Sequence, residues 1–224
     1  MELLDAIRNR HSVRRYTDKP IDEATADALR KFIEGCNLDS GLNIQLVVDE
    51  PKAFASKLVT YGQFSGVRNY LVMAGPKGPE WEEKIGYYGE KTVLFAQTID
   101  LNSCWVGLTY KKVPGVFTLR DGDIIHCVVA IGYGADQGKQ HPLKPLDKFF
   151  EAQGDIPEWF GNGLEAAVLA PTAVNQQKFK FILHPGNRVE TKVFPSLWGY
   201  THIDLGIAKY HFELAAGKEN FEWV

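Results

Sequence analysis

Ala170-Pro171-Thr172-Ala173-Val174-Asn175-Gln176-Gln177 is a polar turn between two regular segments. Before it, Trp159, Leu164, Ala167, Val168 and Leu169 supply the apolar positions of a helix that starts behind Pro157, a residue suited to a first helical turn. After it, residues 179–183 and 189–194 flank Pro185-Gly186-Asn187, the pattern of a β-hairpin. A helix leading through a polar turn into a hairpin is an α+β unit. Taken alone, the turn reads as a helix C-terminus with local side-chain caps. Its composition also permits a second use. Ala170 and Ala173 leave room for a flat ligand, Pro171 frees the backbone from the helix, and the Asn and Gln amides can both donate and accept.

Outward from this turn, the same succession occurs once earlier. Residues 21–48 and 156–183 each read as Ile, an acidic residue, a helix, a small polar turn containing Asn, and a strand. Two helix–turn–strand units can resemble one another by chance, and an internal duplication is the other reading. The spacing predicts a short first helix ending near Arg8 or Asn9, and a second capped by Asp22 and stopping at about residue 34. Strands are expected at 44–48, 70–74 and 124–131, with a helix from Pro51 to about Leu58 and a long one over 80–101 that Gly86 and Gly89 weaken. Residues 132–145 form a loop rich in Gly, Lys and Pro, residues 202–216 a helix, and 221–224 a terminal strand. No Gly-rich fingerprint follows an early strand, so a doubly wound nucleotide fold is not expected.

At the other end of the chain stands Arg10-His11-Ser12-Val13-Arg14-Arg15-Tyr16. In an extended segment side chains alternate, which puts Arg10, Ser12 and Arg14 on one side and His11, Val13 and Arg15 on the other. Two guanidiniums flanking a hydroxyl make an oxyanion-binding strip, since Arg offers planar paired donors and keeps its charge. A solvated basic edge strand has the same spacing.

Composition narrows the classes. The 224 residues allow one large domain or two halves of about 110 residues. A net charge of −3 gives no basic field for nucleic acid or an anionic membrane. The longest apolar run, 124–133, is interrupted by His126 and is too short to span a bilayer. The acidic start, Met1-Glu2-Leu3-Leu4-Asp5, does not read as a signal peptide. Cys36, Cys104 and Cys127 are far apart in apolar contexts, which argues for inert thiols in a reducing, cytoplasmic setting. No Ser-His-Asp signature and no metal-spaced His cluster is present, so no catalytic side chain and no metal ligand is assigned.

The Arg10–Tyr16 stretch, following a helix and preceding Lys19-Pro20-Ile21, resembles the first signature of the FMN-dependent nitroreductase family. The 170–177 turn resembles that family's second signature, and Ile131-Gly132-Tyr133-Gly134 its third. The order departs from the usual pattern, in which the Ala-Pro turn comes early. The early position here, 35–43, lacks the Pro. The chain is similar to a subfamily in which one polypeptide imitates the dimer that ordinarily builds the flavin site. That resemblance implies a nitroreductase-like α+β fold, mainly antiparallel sheet flanked by helices, as a single unit over 1–224. It also implies duplicated halves at about 1–110 and 111–224, in a monomer or weak homodimer.

The resemblance further implies FMN as cofactor. Arg10, Ser12 and His11 would hold its phosphate and ribityl chain, with Arg14 near the N1/O2 edge of the ring, where positive charge favours the reduced flavin. Pro171, Thr172, Ala173 and Asn175 would contact the flavin from the other half. Trp105 and Gly107 would lie near its N5/O4 edge, although Trp105 also suits an ordinary core. Lys144, with Lys139 in reserve, would meet the phosphate. The implied activity is NAD(P)H oxidation by hydride transfer to the flavin, then reduction of a small acceptor (a nitro compound, quinone or flavin) in a ping-pong cycle. A redox sensor or FMN store without turnover is the alternative.

Overall fold

The computed structural model describes Met1–Val224 as two four-stranded sheets with helices between and around them. Helix α1 is Leu3–Asn9. Asp22 caps α2 (Glu23–Ser40), its carboxylate accepting from the Thr25 backbone N–H and hydroxyl, both at 2.9 Å. The helix outruns its expected end near residue 34. Gly35 sits inside it facing open space, and termination waits for Gly41, whose φ of 77° lets its N–H close onto the Asn37 carbonyl.

Strands β1 (Asn43–Val47), β2 (Asn69–Pro76), β3 (Asn102–Val106) and β4 (Asp123–Gly132) form the first sheet in the order β1-β2-β4-β3, antiparallel throughout. The central β2, and β4 from Cys127 onward, are covered on both faces, as their apolar runs require. The helix expected from Pro51 does not form. The Glu50 carboxylate accepts from the Lys52 and Ala53 N–H groups like a cap, but turns follow in place of a helical ladder.

The second sheet has the order β5-β6-β7-β8, from β5 (Phe150–Ala152), β6 (Phe179–His184), β7 (Arg188–Val193) and β8 (Glu222–Trp223). The β6–β7 pair is the predicted hairpin, and β5 and β8 join it in parallel. The sequence pattern did not show β5, a strand of only three residues. The fold is α+β with mainly antiparallel sheets flanked by helices.

Helices α3 (Pro79–Thr98) and α5 (Thr201–Ala216) cross at the centre, with α4 (Glu158–Ala167) packed on α5. Two glycines make the crossing possible. A Cβ on Gly86 would collide with the Ile203 carbonyl oxygen, and a Cβ on Gly206 with the Glu83 carbonyl oxygen. The contact is reciprocal, because the same sequence offset separates Gly86 from Gly206 and Glu83 from Ile203. Gly86 was expected to weaken the long helix, and it is the point of closest approach. One apolar core joins the helices and second sheet to one face of the first sheet, and another covers the opposite face. No helix is long and apolar enough to cross a membrane.

Candidate functional site

The Arg10–Tyr16 stretch leaves α1 with φ −73° and ψ 116° at Arg10 and runs beside β3. Val13 N–H donates to the Ser103 carbonyl at 2.9 Å, and Tyr16 N–H to that of Ser65 at 3.0 Å. These are isolated bridges, with no continuous ladder. Burial falls on Arg10, Val13 and Tyr16, while Arg14 and Arg15 are exposed. The expected two-residue alternation is therefore wrong here, and Arg10 and Arg14 are not equivalent members of one strip. Burial recurs instead at every third residue.

Arg10 is 3% exposed; its Nε lies 3.4 Å from Glu90 Oε1 without a hydrogen bond, and its Nη1 has no acceptor at all. Ser103 Oγ, on the residue that bridges to Ser12, is buried and unpartnered as well. Donors left in this state inside a protein carry a desolvation penalty that an anion would relieve. The charges of Arg14 and Arg10 and a hydrogen bond with Ser12 act on the Cys104 thiol, although burial outweighs them and pushes it up. His11 Nδ1 lies 3.2 Å from the Gln137 carbonyl oxygen.

The 170–177 turn is held tightly. Val174, Asn175 and Gln177 have φ of 46°, 55° and 49°, a left-handed region that side-chain-bearing residues rarely occupy and that surrounding contacts must enforce. Asp204, in α5, supplies the main clamp. Its Oδ1 accepts from Ala173 N–H at 2.9 Å and its Oδ2 from Gln176 Nε2 at 2.6 Å. Burial pushes this carboxyl up to about 7 against the pull of both bonds. Thr172 Oγ1 accepts from Gln177 N–H at 3.1 Å, and Pro171 is buried behind it.

The 133–145 loop lies between the two stretches. On one side Gln137 meets His11 and accepts from Asn102. On the other, the Pro142 carbonyl accepts from Asn175 Nδ2 and Gln177 Nε2, both at 2.9 Å, and Lys144 Nζ donates to the Gln176 carbonyl at 2.6 Å. The structure thus brings His11 and Asn175 to opposite sides of one loop. Lys144, in the loop, and Asn175, in the turn, already have their polar atoms engaged.

Trp105 faces inward: its indole lies against Gly89 and its Nε1 donates to Glu90 Oε2 at 2.8 Å. Gly107 faces the Tyr200 phenol, which a Cβ would approach to 2.7 Å. The sequence reading missed Glu90, Asp204 and His211, all buried polar groups. Asp204 stands between Ile203 and Leu205 in an apolar helix, and that was the available signal. FMN fits this arrangement at its phosphate end, where the Arg10 and Ser103 atoms lack partners. Two grooves of about 470 and 330 Å³ lie elsewhere, along α4 and α5, and no expected site residue lines them.

A family model described as "Putative TM nitroreductase" matches residues 2–216. The fold is similar to a crystal structure described as a putative nitroreductase from Thermotoga maritima, with a TM-score of 0.71, 23% identity, and coverage of 99% of this chain and 87% of that one. It is also similar to the NfrA1 nitroreductase of Bacillus subtilis (TM-score 0.52, 17% identity, 70% and 76% coverage). A putative nitroreductase from Desulfovibrio desulfuricans, described in complex with FMN, gives a TM-score of 0.50 at 17% identity, with 66% and 94% coverage. No curated protein matches the chain.

Proposed function

The chain belongs to the family described as "Putative TM nitroreductase", and on that premise we propose that it is an FMN-dependent oxidoreductase. It takes electrons from NAD(P)H and passes them to a small organic acceptor (a nitro compound, quinone or flavin) in a ping-pong cycle. The observation that carries this reading is the buried Arg10 guanidinium, whose Nη1 has no partner, together with the unpartnered Ser103 Oγ on the residue that bridges to Ser12. A phosphate monoester has the charge and acceptors to complete those donors. The FMN named for the Desulfovibrio relative carries such a group.

In this reading Arg10, His11 and Ser12 hold the phosphate and ribityl end, and the exposed Arg14 brings positive charge beside the ring. Pro171, Thr172, Ala173 and Asn175 bound the other side, kept in place by Asp204 and Gln176. Lys144 clasps the Gln176 carbonyl, so its first role is to lock the loop onto the turn. Trp105 braces the site from within through Glu90, and Gly107 with Tyr200 closes the end of β3. Bound there, FMN supplies both one- and two-electron chemistry. The chain's own residues bind, orient and charge the site.

The chain is further read as a cytoplasmic pseudo-dimer, with halves at about residues 1–110 and 111–224. Support comes from element order: α2-β1-β2-α3 and α4-β6-β7-α5 are both helix, antiparallel strand pair, helix. The reciprocal Gly86–Gly206 crossing is what a two-fold axis between such halves produces.

The test is the visible spectrum of purified protein given FMN, followed by anaerobic NADH or NADPH and then a quinone or nitroarene. Bleaching by the nucleotide and recovery with the acceptor are expected. Protein that takes up no FMN refutes the flavin assignment, and FMN that binds without bleaching turns the reading to a sensor or store.

A further inference from the structure

Beneath the Arg10 guanidinium lies a buried cluster that the proposed chemistry does not use. Glu90, in α3, and His211, in α5, are both 0% exposed. Glu90 Oε2 accepts from Trp105 Nε1, and Oε1 lies 3.0 Å from His211 Nε2 and 3.4 Å from Arg10 Nε. On its other edge, His211 Nδ1 lies 3.1 Å from the Ala166 carbonyl oxygen. That oxygen can only accept, so Nδ1 carries a proton. Burial pushes the Glu90 carboxyl up, but the hydrogen bond from His211 and the charge of Arg10 outweigh it and hold it below the usual range. An ionised carboxylate can also only accept, so Nε2 carries a proton too.

The cluster therefore contains two cations, Arg10 and His211, and one anion, Glu90. The other titratable neighbours do not restore the balance. His141, from the 133–145 loop, donates toward the Val168 carbonyl and is pushed down by burial and by the charges of Arg10, His11 and His211. His11 brings no negative charge, and burial pushes the Tyr210 phenol up, so it stays neutral. An excess positive charge in a protein interior is costly without a partner. Arg10 Nη1, which has no acceptor, shows where it can be relieved.

We propose that His211 is held as an imidazolium, and that its charge, relayed through Glu90 to Arg10, makes the site select FMN over riboflavin. This rests on the FMN reading above. Neither His211 nor Glu90 touches the ligand; both are positioning residues, one from each half of the molecule.

Nitrogen-15 histidine NMR of the wild-type protein at neutral pH tests the protonation directly. His211 is identified as the ring whose N–H protons exchange most slowly, since it is the one fully buried histidine. Both its nitrogens should appear protonated, and an unprotonated Nε2 overturns the proposal. Binding of FMN and of riboflavin is then compared in wild type, His211→Gln and Glu90→Gln. Loss of the imidazolium charge should lower the FMN-to-riboflavin affinity ratio about tenfold or more, whereas loss of the carboxylate charge should keep or raise it. A ratio unchanged in His211→Gln, or lowered equally in both variants, overturns the selectivity. Wild type that binds neither flavin refutes the functional reading and the selectivity together. In that event, or if a variant fails to fold, the NMR arm still decides the charge state of His211.

Discussion

Replacing Asp204 by Asn will alter stability by an amount that depends on pH. The Asp204 side chain belongs to a residue 3% exposed, and burial pushes its carboxyl from 3.8 to about 7 despite the bonds from Gln176 and Ala173. The folded value lies above the unfolded one, so the folded chain holds this proton more tightly. The stability it contributes is complete below about pH 4 and is lost as pH rises through about 7. A displacement of that size corresponds to about 4 kcal/mol. Asparagine has nearly the same shape and does not titrate. The stability of Asp204→Asn relative to wild type should therefore climb by about 4 kcal/mol between about pH 4 and pH 8, most steeply over the middle of that range. Urea titrations at a series of pH values, followed by tryptophan emission, measure this difference. A difference constant to within about 1 kcal/mol refutes the reasoning, because the fold would then not favour the protonated carboxyl.

Gly86→Ala and Gly206→Ala each drive a methyl group into a carbonyl oxygen of the crossing helix, and each should cost about 3 kcal/mol or more by thermal or urea unfolding. Because the two contacts share one crossing, the double variant should lose less than the sum. Trp105→Phe removes the N–H that donates to the buried Glu90 carboxylate and should cost about 1–3 kcal/mol in the same assays. Arg14→Ala, at an exposed position, should leave stability unchanged while weakening FMN binding and lowering the potential of the bound flavin. Unchanged affinity and potential would contradict the role given to Arg14.

The sequence pattern showed the elements built on strong local signals. Asp22 starts α2, Pro185-Gly186-Asn187 turns the β6–β7 hairpin, and apolar runs mark β2 and, apart from His126, β4. It misplaced the end of α2 because a mid-helix Gly costs only about 1 kcal/mol, which tertiary contact easily supplies. It proposed a helix behind Pro51 because a capping carboxylate looks the same whether a helix or a turn follows. The most instructive miss is at residues 10–16. Alternation presumes a continuous ladder, and this segment is pinned only where it meets Ser103, Ser65 and Gly134. Burial then falls on every third residue and separates Arg10 from Arg14. Glu90, Asp204 and His211 stayed hidden for a different reason. Each is paired with groups remote in sequence, and only the packing of α3 against α5 and of the turn on α5 brings those partners near.

That helix crossing has a further consequence. In a true two-fold assembly every substitution appears twice, so any contact must have its mirror image. On the pseudo-dimer reading proposed above, a single chain is free of that constraint. Lys209 Nζ pairs with Glu83 Oε1 at 2.6 Å. Carried across by the offset that relates the two crossing glycines, Glu83 and Lys209 fall on Ile203 and Gly89, which can form no ion pair. Gly89 instead receives the Trp105 indole. On that reading one side of the axis carries an electrostatic strut and the other a seat for an aromatic ring, a division of labour that identical subunits cannot evolve.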